Sequence, residues 1–210
     1  PLADLERTVR LHPVIFREKY PPRYVNSLYC DTPGFRHYYD SVNGASERVK
    51  IRLRWYGPLL GPVPKTVLEI KVKKGLVGSK KNLPLGPFEM QERLSRASFE
   101  AFFRPARNHP EFGAFLLGAQ PVYLGRYHRK YFETPDGNFR VTFDTELRYH
   151  RILLGAADFR VAPLPPGPSL VIMEFKYPHD QALAAAQVSQ LLPFRVGQNS
   201  KYVEGVSRFY

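Results

Sequence analysis

Arginine and lysine alternate with apolar residues in segment 48–54, which reads RVKIRLR. Successive side chains of a β-strand point to opposite faces, so one face of this segment carries Lys50, Arg52 and Arg54, and the other is apolar. Arginine presents a planar fork of donors that matches phosphate oxygens, and lysine adds a point charge. The segment therefore predicts a strand whose cationic face can bind phosphate.

Four further segments show the same alternation, at 67–73, 127–132, 140–147 and 171–176. On any one strand, a solvent-exposed polar face is the ordinary explanation. All five polar faces, however, are rich in arginine and lysine and poor in serine, threonine and glutamine. This composition favours strands that close on themselves and point their charges into a water-filled lumen.

A cationic lumen of this kind would concentrate polyphosphate, because low-dielectric walls focus the electric field of the charges. The predicted lining also contains isolated carboxylates, at Glu69, Asp144, Glu146 and Glu174. Mg²⁺ and Mn²⁺ are commonly held by one or two carboxylates together with substrate phosphates. The sequence therefore predicts a site for a triphosphate and a divalent metal.

The elements that must position these residues are mostly strands. Period-two patterns predict strands at 24–30, 48–56, 67–73, 88–94, 122–132, 139–147 and 170–177. Helices are predicted at 2–11, from Ser95 or Ser98 to 103 with Pro105 as the stop, at 110–117, at 180–192 and from Ser200 to 208. We expect a single domain over residues 1–210, of the antiparallel α+β or β-barrel class.

Composition narrows the possible classes of protein. The 210 residues include 31 Lys and Arg against 19 Asp and Glu, a formal net charge of +12, and 20 prolines. Cys30 is the only cysteine, which excludes a disulfide framework and a cysteine-based zinc site and favours a reducing compartment. No apolar run approaches the length that spans a bilayer. We predict a cytoplasmic protein, with a location at the cytoplasmic face of a membrane as a variant of that prediction.

Other residues are given ordinary structural roles. Cys30 is expected to be a buried, inert thiol, and the histidines lack the spacing of metal ligands. Segment 75–81 reads GLVGSKK, which fails the phosphate-loop pattern and predicts a flexible basic loop.

The basic segments, taken in order, resemble the triphosphate tunnel metalloenzymes of the CYTH-like superfamily. Within that group they resemble the VTC domain of vacuolar-transporter-chaperone-type polyphosphate polymerases. The segments that carry the resemblance are VNSLYCDT at 25–32, RVKIRLR at 48–54, LEIK at 68–71, RYHR at 126–129, FRVTFD at 139–144, MEFK at 173–176 and SKY at 200–202.

The resemblance implies a fold, an activity and a set of site residues. The fold is an antiparallel β-barrel tunnel decorated with short helices, and the activity is transfer of the γ-phosphoryl group of ATP to a growing polyphosphate chain, assisted by Mn²⁺ or Mg²⁺. Residues expected in catalysis are Arg52, Arg54, Ser200 and Lys201. Phosphate-binding residues are expected to be Lys50, Arg52, Arg54, Lys71, Lys73, Lys81 (or its neighbour Lys80), Arg129, Arg140, Lys176, Ser200 and Lys201. The metal is expected at Glu174, with Glu69 and Asp144 as further ligands.

Two departures from the family pattern bear on activity. The family pattern includes an R-x-E-x-K strand ahead of the first helix, and this chain starts near that helix, so we expect the N-terminal strand of the tunnel to be missing. A lysine also precedes the Ser-Lys-Tyr serine by two residues in the family, where this chain has Gln198. Loss of one cation there is expected to slow the chemistry more than it weakens binding.

Three alternatives to the polymerase remain. One is a hydrolase or cyclase that acts on triphosphates in the same tunnel. Another is a module that binds polyphosphate or inositol polyphosphate without turnover. The third is nucleic-acid binding, which needs exposed aromatic rings among the arginines, and Tyr56, Tyr127 and Tyr131 are candidates. We expect no nucleic-acid partner, allow for a membrane-associated partner, and predict no oligomeric state.

Overall fold

Antiparallel strands make up most of the structure, a computed structural model that describes residues 2–75, 77–192 and 197–210. The strands are β1 (Arg17–Asp31), β2 (Glu47–Tyr56), β3 (Gly61–Val63), β4 (Thr66–Lys74), β5 (Val77–Leu85), β6 (Phe88–Met90), β7 (Arg93–Ser95), β8 (Gln120–Glu133), β9 (Arg140–Leu154), β10 (Asp158–Pro163) and β11 (Ile172–Lys176). The helices are α1 (Leu2–Arg10), α2 (Arg36–Val42), α3 (Arg96–Arg107), α4 (Gly113–Leu116), α5 (Ala182–Gln190) and α6 (Lys201–Ser207), with a 3₁₀ turn at His179–Gln181.

The main sheet has the strand order β5-β4-β2-β1-β8-β9-β10-β7, and β11 pairs with β9 beside this path. A small second sheet pairs β3 with β6. Over residues 2–75, 77–192 and 197–210, the main path does not include a pairing of its end strands β5 and β7. The predicted α+β class with an antiparallel sheet and short helices is confirmed, and a closed tunnel remains a proposal.

The chain divides into two compact units. The smaller unit comprises Pro1–Tyr24, Tyr127–Leu147 and Gly167–Gln198, and the larger unit comprises Val25–Arg126, Arg148–Pro166 and Asn199–Tyr210. The core of the larger unit includes Trp55, Leu68 and Phe99, and that of the smaller unit includes Phe132 and Phe143. Burial of this apolar surface is the main favourable contribution to folding in each unit.

Alternation along the strands places the polar side chains of the larger unit on one face. Ile51, Leu53 and Trp55 of β2 are each at most 1% exposed, as are Leu68 and Ile70 of β4. Residues between them must point the opposite way. The apolar pattern therefore fixes the face on which Arg52 and Arg54 lie.

The segment predicted as a flexible basic loop is largely a strand, which corrects that expectation. β5 begins at Val77 and pairs with β4 along its length, while Leu76 lies outside the described residues. Its lysines, glycine and Pro84 give it low strand propensity, but pairing with β4 supplies the backbone hydrogen bonds. β5 is an end strand of the path, where proline is tolerated.

Several other boundaries differ from the prediction. β1 begins at Arg17 rather than residue 24, β9 continues to Leu154, and segment 88–94 is two short strands in different sheets. Strands β3 and β10 and helix α2 were not predicted. These elements are short or contain proline and glycine, so their apolar period is too brief to identify.

Helix α3 shows why proline alone does not locate a helix end. Ser95 caps the helix as expected, since its side chain accepts a hydrogen bond from the backbone of Ser98. The helix nevertheless passes through Pro105 to Arg107. Phe103 and Ala106 are buried, and their packing outweighs the hydrogen bond that proline removes. The helix predicted from Pro110 begins only at Gly113.

The remaining helices agree with the prediction in position. α1, α5 and α6 lie within the predicted segments, and Ser200 caps α6 by accepting a hydrogen bond from the backbone of Val203. Pro193, the expected stop after α5, lies outside the described residues. Within the part of the chain that is described, every helix is too short or too polar to cross a lipid bilayer.

Candidate functional site

A row of three lysines crosses three adjacent strands of the larger unit. Lys50 of β2 lies opposite Lys71 of β4, and Lys71 lies opposite Lys80 of β5. The neighbouring positions place Arg48 opposite Lys73. Like charges directly opposite one another on a sheet are destabilising. An anion bound to this face would therefore reduce the repulsion between these side chains.

One carboxylate, Glu69, neutralises part of this positive charge. Glu69 lies opposite Arg52 and contacts three cations: its carboxylate oxygens are 2.5 Å from Arg52 Nε, 3.4 Å from Arg54 Nη1 and 2.7 Å from Lys80 Nζ. Burial alone would raise the pKa of Glu69, but the charges of Arg52, Arg54 and Lys80 lower it to about 2. Glu69 is therefore ionised and holds the three cations together.

Lys50 joins the cationic face to the start of α6. Its Nζ donates to Ser200 Oγ at 2.8 Å. Burial, and then the positive charges of Lys71, Arg48, Arg52 and Lys73, lower the pKa of Lys50 to about 8. Sequence analysis predicted both Lys50 and Ser200 as site residues, and the structure brings them into contact.

A buried carboxylate anchors the helix that carries Lys201. Asp31 is fully buried, and it accepts hydrogen bonds from the backbone of Thr32, His37 and Tyr38 and from the hydroxyl of Tyr202. Asp31 therefore fixes both the start of α2 and the first turn of α6. Asp31 and Tyr202 lie in two segments that carried the family resemblance, but their role in holding α6 was not predicted.

Lys80, rather than Lys81, joins the row of lysines. Lys81 lies opposite Ile70, so it is on the other face of the sheet, and its Nζ pairs with Glu111 at 3.2 Å. Sequence analysis left the choice between the two lysines open. Of the predicted phosphate-binding residues in the larger unit, the structure therefore groups Lys50, Arg52, Arg54, Lys71 and Lys73, with Ser200 beside Lys50.

In the smaller unit, a buried ion pair forms between β8 and β9. Arg129 Nε and Nη2 donate to the two carboxylate oxygens of Asp144, at 2.5 and 2.7 Å. Burial would lower the pKa of Arg129, but the hydrogen bonds to Asp144 raise it above its ordinary value. Arg129 Nη2 also lies 3.7 Å from Glu174. The bidentate geometry fixes the guanidinium in one orientation.

Glu174 lies at the more open end of this cluster. Its carboxylate is 3.3 Å from Lys176 Nζ, and its side chain is 42% exposed. Thr142 of β9 lies directly opposite Glu174 of β11. The Thr142 hydroxyl is buried and has no hydrogen-bond partner among the described residues, so an additional polar group beside Glu174 would satisfy it.

Sequence analysis did not predict a role for Glu133, another carboxylate of the smaller unit. The Glu133 carboxylate forms two ion pairs. One is with Nε of Arg140, a predicted phosphate-binding residue, at 3.3 Å, and the other is with Lys19 Nζ at 2.6 Å. The hydrogen bond from Lys19 and the charges of Lys19 and Arg140 lower the pKa of Glu133. Lys19 belongs to the first part of β1, where Pro21 and Pro22 hide the strand period.

The predicted metal ligands differ in how closely they are bound by other side chains. Glu69 contacts three cations, and both oxygens of Asp144 bond to Arg129. Glu146 has a left-handed backbone conformation, with φ of 53°, and accepts a hydrogen bond from Tyr24. No cluster of three or more His, Cys, Asp or Glu residues suited to a metal occurs in the described ranges.

Comparison with known proteins identifies the family. The family model of the VTC domain matches residues 7–210. The chain belongs to the VTC domain family. The resemblance seen in the sequence is thereby confirmed, and the match covers both compact units. No curated protein matches the chain in sequence.

Solved structures add a likeness of fold. A protein of Vibrio parahaemolyticus described as a "putative adenylate cyclase" is 12% identical, with a TM-score of 0.50, over 97% of this chain and 91% of that one. A protein of Pyrococcus horikoshii OT3 is 13% identical, with a TM-score of 0.47, over 98% and 93% of the two chains. At these identities the Vibrio structure is evidence of a shared fold alone.

Proposed function

We propose that this VTC domain is a polyphosphate polymerase. It transfers the γ-phosphoryl group of ATP to a growing polyphosphate chain that lies in a basic β-tunnel with a divalent metal. Phosphoryl transfer depends mainly on positioning and on neutralisation of charge, and arginine and lysine provide both. No protein nucleophile is required, because the acceptor is itself a phosphate.

The row Lys50–Lys71–Lys80 is the observation that carries this proposal. Its charges stand opposite one another on adjacent strands, and Glu69 pairs with Lys80 alone among the three, so a bound anion would lower the repulsion between Lys50 and Lys71. A chain of phosphates can contact successive lysines along the row, and Arg52 and Arg54 add forked donors beside it. A neutral ligand would leave this repulsion in place.

Glu174 is the proposed metal-binding residue. It is partly exposed, and the unsatisfied hydroxyl of Thr142 beside it fits a hydrated cation. Asp144 has both carboxylate oxygens engaged by Arg129, and Glu69 is paired with three cations. A divalent ion held at Glu174 would neutralise negative charge on a phosphate bound next to it.

The same residues also suit a binding module or a triphosphate hydrolase. Engagement of Glu69 and Asp144 by arginine and lysine leaves fewer carboxylates for a metal, and this favours binding without turnover. The acceptor of the phosphoryl group separates these possibilities.

The test is to incubate the purified chain with ATP and Mn²⁺ and to separate the products on a gel. We expect polyphosphate chains with the wild type and none when Mn²⁺ is omitted.

The double variant Arg52→Ala/Arg54→Ala should weaken tripolyphosphate binding at least a hundredfold, since each charged hydrogen bond contributes about 1.5–3 kcal/mol. Calorimetric titration measures that affinity.

A charge-matched control is Arg93→Ala/Arg160→Ala. These two arginines are exposed and lie opposite each other on β7 and β10, outside the cationic face. The control should bind tripolyphosphate as the wild type does. Release of phosphate without chains would identify a hydrolase, and binding without any turnover would identify a binding module. Equal loss of affinity in both double variants would contradict a specific phosphate site.

A further inference from the structure

Tyr20, Arg23 and Tyr131 form a stacked group in the smaller unit. The Arg23 guanidinium carbon lies 5.3 Å from the centre of the Tyr20 ring and 5.0 Å from that of Tyr131. The two rings meet edge to face, with their centres 5.6 Å apart. Arg23 Nε also donates to the Tyr131 hydroxyl at 3.4 Å. These contacts hold the three side chains as one unit.

This group is continuous with the charged cluster of Arg129, Asp144 and Glu174 in the same unit. Arg129 lies 5.8 Å from the centre of the Tyr131 ring, and the same guanidinium contacts Asp144 and Glu174. Tyr20 is therefore two contacts, each shorter than 6 Å, from Arg129. Arg129 itself is 8% exposed and bound by Asp144, so a ligand with a planar ring at Tyr20 would place its phosphates at the more exposed Lys176, which pairs with Glu174 next to Arg129.

Tyr20 differs from the other tyrosines of the path in exposure. Tyr127 and Tyr131 are 3% and 9% exposed, so their faces are not available to a ligand. Tyr20 is 47% exposed, while Arg23 lies over its ring. Because Tyr127 and Tyr131 are buried, β8 cannot bind single-stranded nucleic acid by stacking, which needs an exposed ring for each successive base. One open ring suits one base.

We propose that Tyr20 is the stacking surface for the base of a nucleoside triphosphate. The inference rests on the proposed function, and it adds a second recognition element to phosphate binding. The base stacks on the open ring of Tyr20, and the phosphates reach the cations beyond Tyr131. Tyr20 would thus distinguish ATP, which has a base, from inorganic tripolyphosphate, which has none.

The experiment compares the affinities of ATP and tripolyphosphate by calorimetric titration in metal-free buffer. Tyr20→Ala should weaken ATP binding about tenfold, the usual effect of removing one aromatic stacking partner, and leave tripolyphosphate binding unchanged. Tyr20→Phe keeps the ring and should bind both ligands as the wild type does. The ratio of the two affinities is therefore the measured quantity.

Tyr177 supplies the matched control. It lies in the same unit, is also 47% exposed, and packs against Phe175. Tyr177→Ala should leave both affinities unchanged. An unchanged ATP affinity in Tyr20→Ala, or equal weakening of both ligands, would overturn the inference while leaving the proposed function intact. Failure of the wild type to bind tripolyphosphate would instead overturn the proposed function, and this inference with it.

Discussion

Burial and repulsion from neighbouring cations both lower the pKa of Lys50. Its ammonium group is half-buried, and the nearby charges of Arg48, Arg52, Lys71 and Lys73 are all positive. These effects lower its pKa to about 8 from an ordinary 10.5. Between those two pH values the folded chain binds fewer protons than the unfolded chain, so the free energy of unfolding contributed by Lys50 rises with pH. The protonated form is thus a cost that a bound anion can offset.

Phosphate binding should therefore depend on pH through Lys50. At pH 7 the side chain is mostly charged, and at pH 9 it is mostly neutral, so tripolyphosphate affinity should fall about tenfold across this range as one charged contact is lost. Titrations at several pH values in metal-free buffer measure the fall. Lys50→Arg keeps its charge at pH 9 and should show a smaller fall. Parallel pH profiles for the two proteins would contradict this role.

Sequence alternation predicted the face of β2 on which Arg52 and Arg54 lie but not the contacts that these residues make. Arg52 and Arg54 were placed correctly, because the apolar residues between them had to be buried. The choice between Lys80 and Lys81 depends on the register of β5, and a slip of one residue moves a side chain to the opposite face. Register is set by strand pairing, which the local pattern does not specify.

At the scale of elements, α6 is held to the larger unit by two polar contacts at its first turn. Ser200 caps the helix and contacts Lys50, while the Tyr202 hydroxyl donates to Asp31. The helix has only seven residues, too few to be stable alone. The positions of Ser200 and Lys201 therefore depend on tertiary contacts rather than on helix propensity.

Removal of one hydroxyl tests this dependence. Tyr202→Phe removes the one side-chain hydroxyl of α6 that donates to the buried Asp31, which keeps its backbone donors, and should lower the free energy of unfolding by about 1–3 kcal/mol, as measured by urea denaturation. Tripolyphosphate affinity should fall as well, since α6 carries Ser200 and Lys201. Tyr210→Phe is the control, because Tyr210 is 63% exposed and its hydroxyl accepts a hydrogen bond from the exposed Tyr39, which water can replace. Equal effects of the two substitutions would contradict an anchoring role for Tyr202.

Strands with a long period-two pattern were predicted well, and elements without one were not. β2 and β4 were found because their apolar residues alternate over most of their length, and β8 because its second half alternates. β5 lacks that pattern and exists through its pairing with β4. The first residues of β1 are exposed and include two prolines, so their strand conformation also depends on neighbours rather than on local sequence.

For the whole molecule, the net charge of +12 is the dominant electrostatic fact. Excess charge of one sign destabilises the folded state by self-repulsion, and a ligand that binds only the folded state stabilises it. The pairing of β2, β4 and β5, which brings part of this charge together, was not predictable, because the sequence pattern identifies strands but not their neighbours.

Tripolyphosphate should accordingly raise the Tm more than sodium chloride does at the same ionic strength. We expect an increase of several degrees at a hundred times the dissociation constant, which corresponds to about 2.7 kcal/mol. Differential scanning fluorimetry measures the shift. In Arg52→Ala/Arg54→Ala the two salts should act alike. Identical shifts for both salts in the wild type would indicate general screening rather than a site.

The contact between Asp31 and Tyr202 also imposes an order of events during biosynthesis. Asp31 leaves the ribosome 171 residues before its tyrosine partner. Until α6 has emerged, β1 carries a carboxylate that lacks its tyrosine donor and stays accessible to water. Nascent chains should therefore stay protease-sensitive around residue 31 and become resistant only after α6 has left the ribosome.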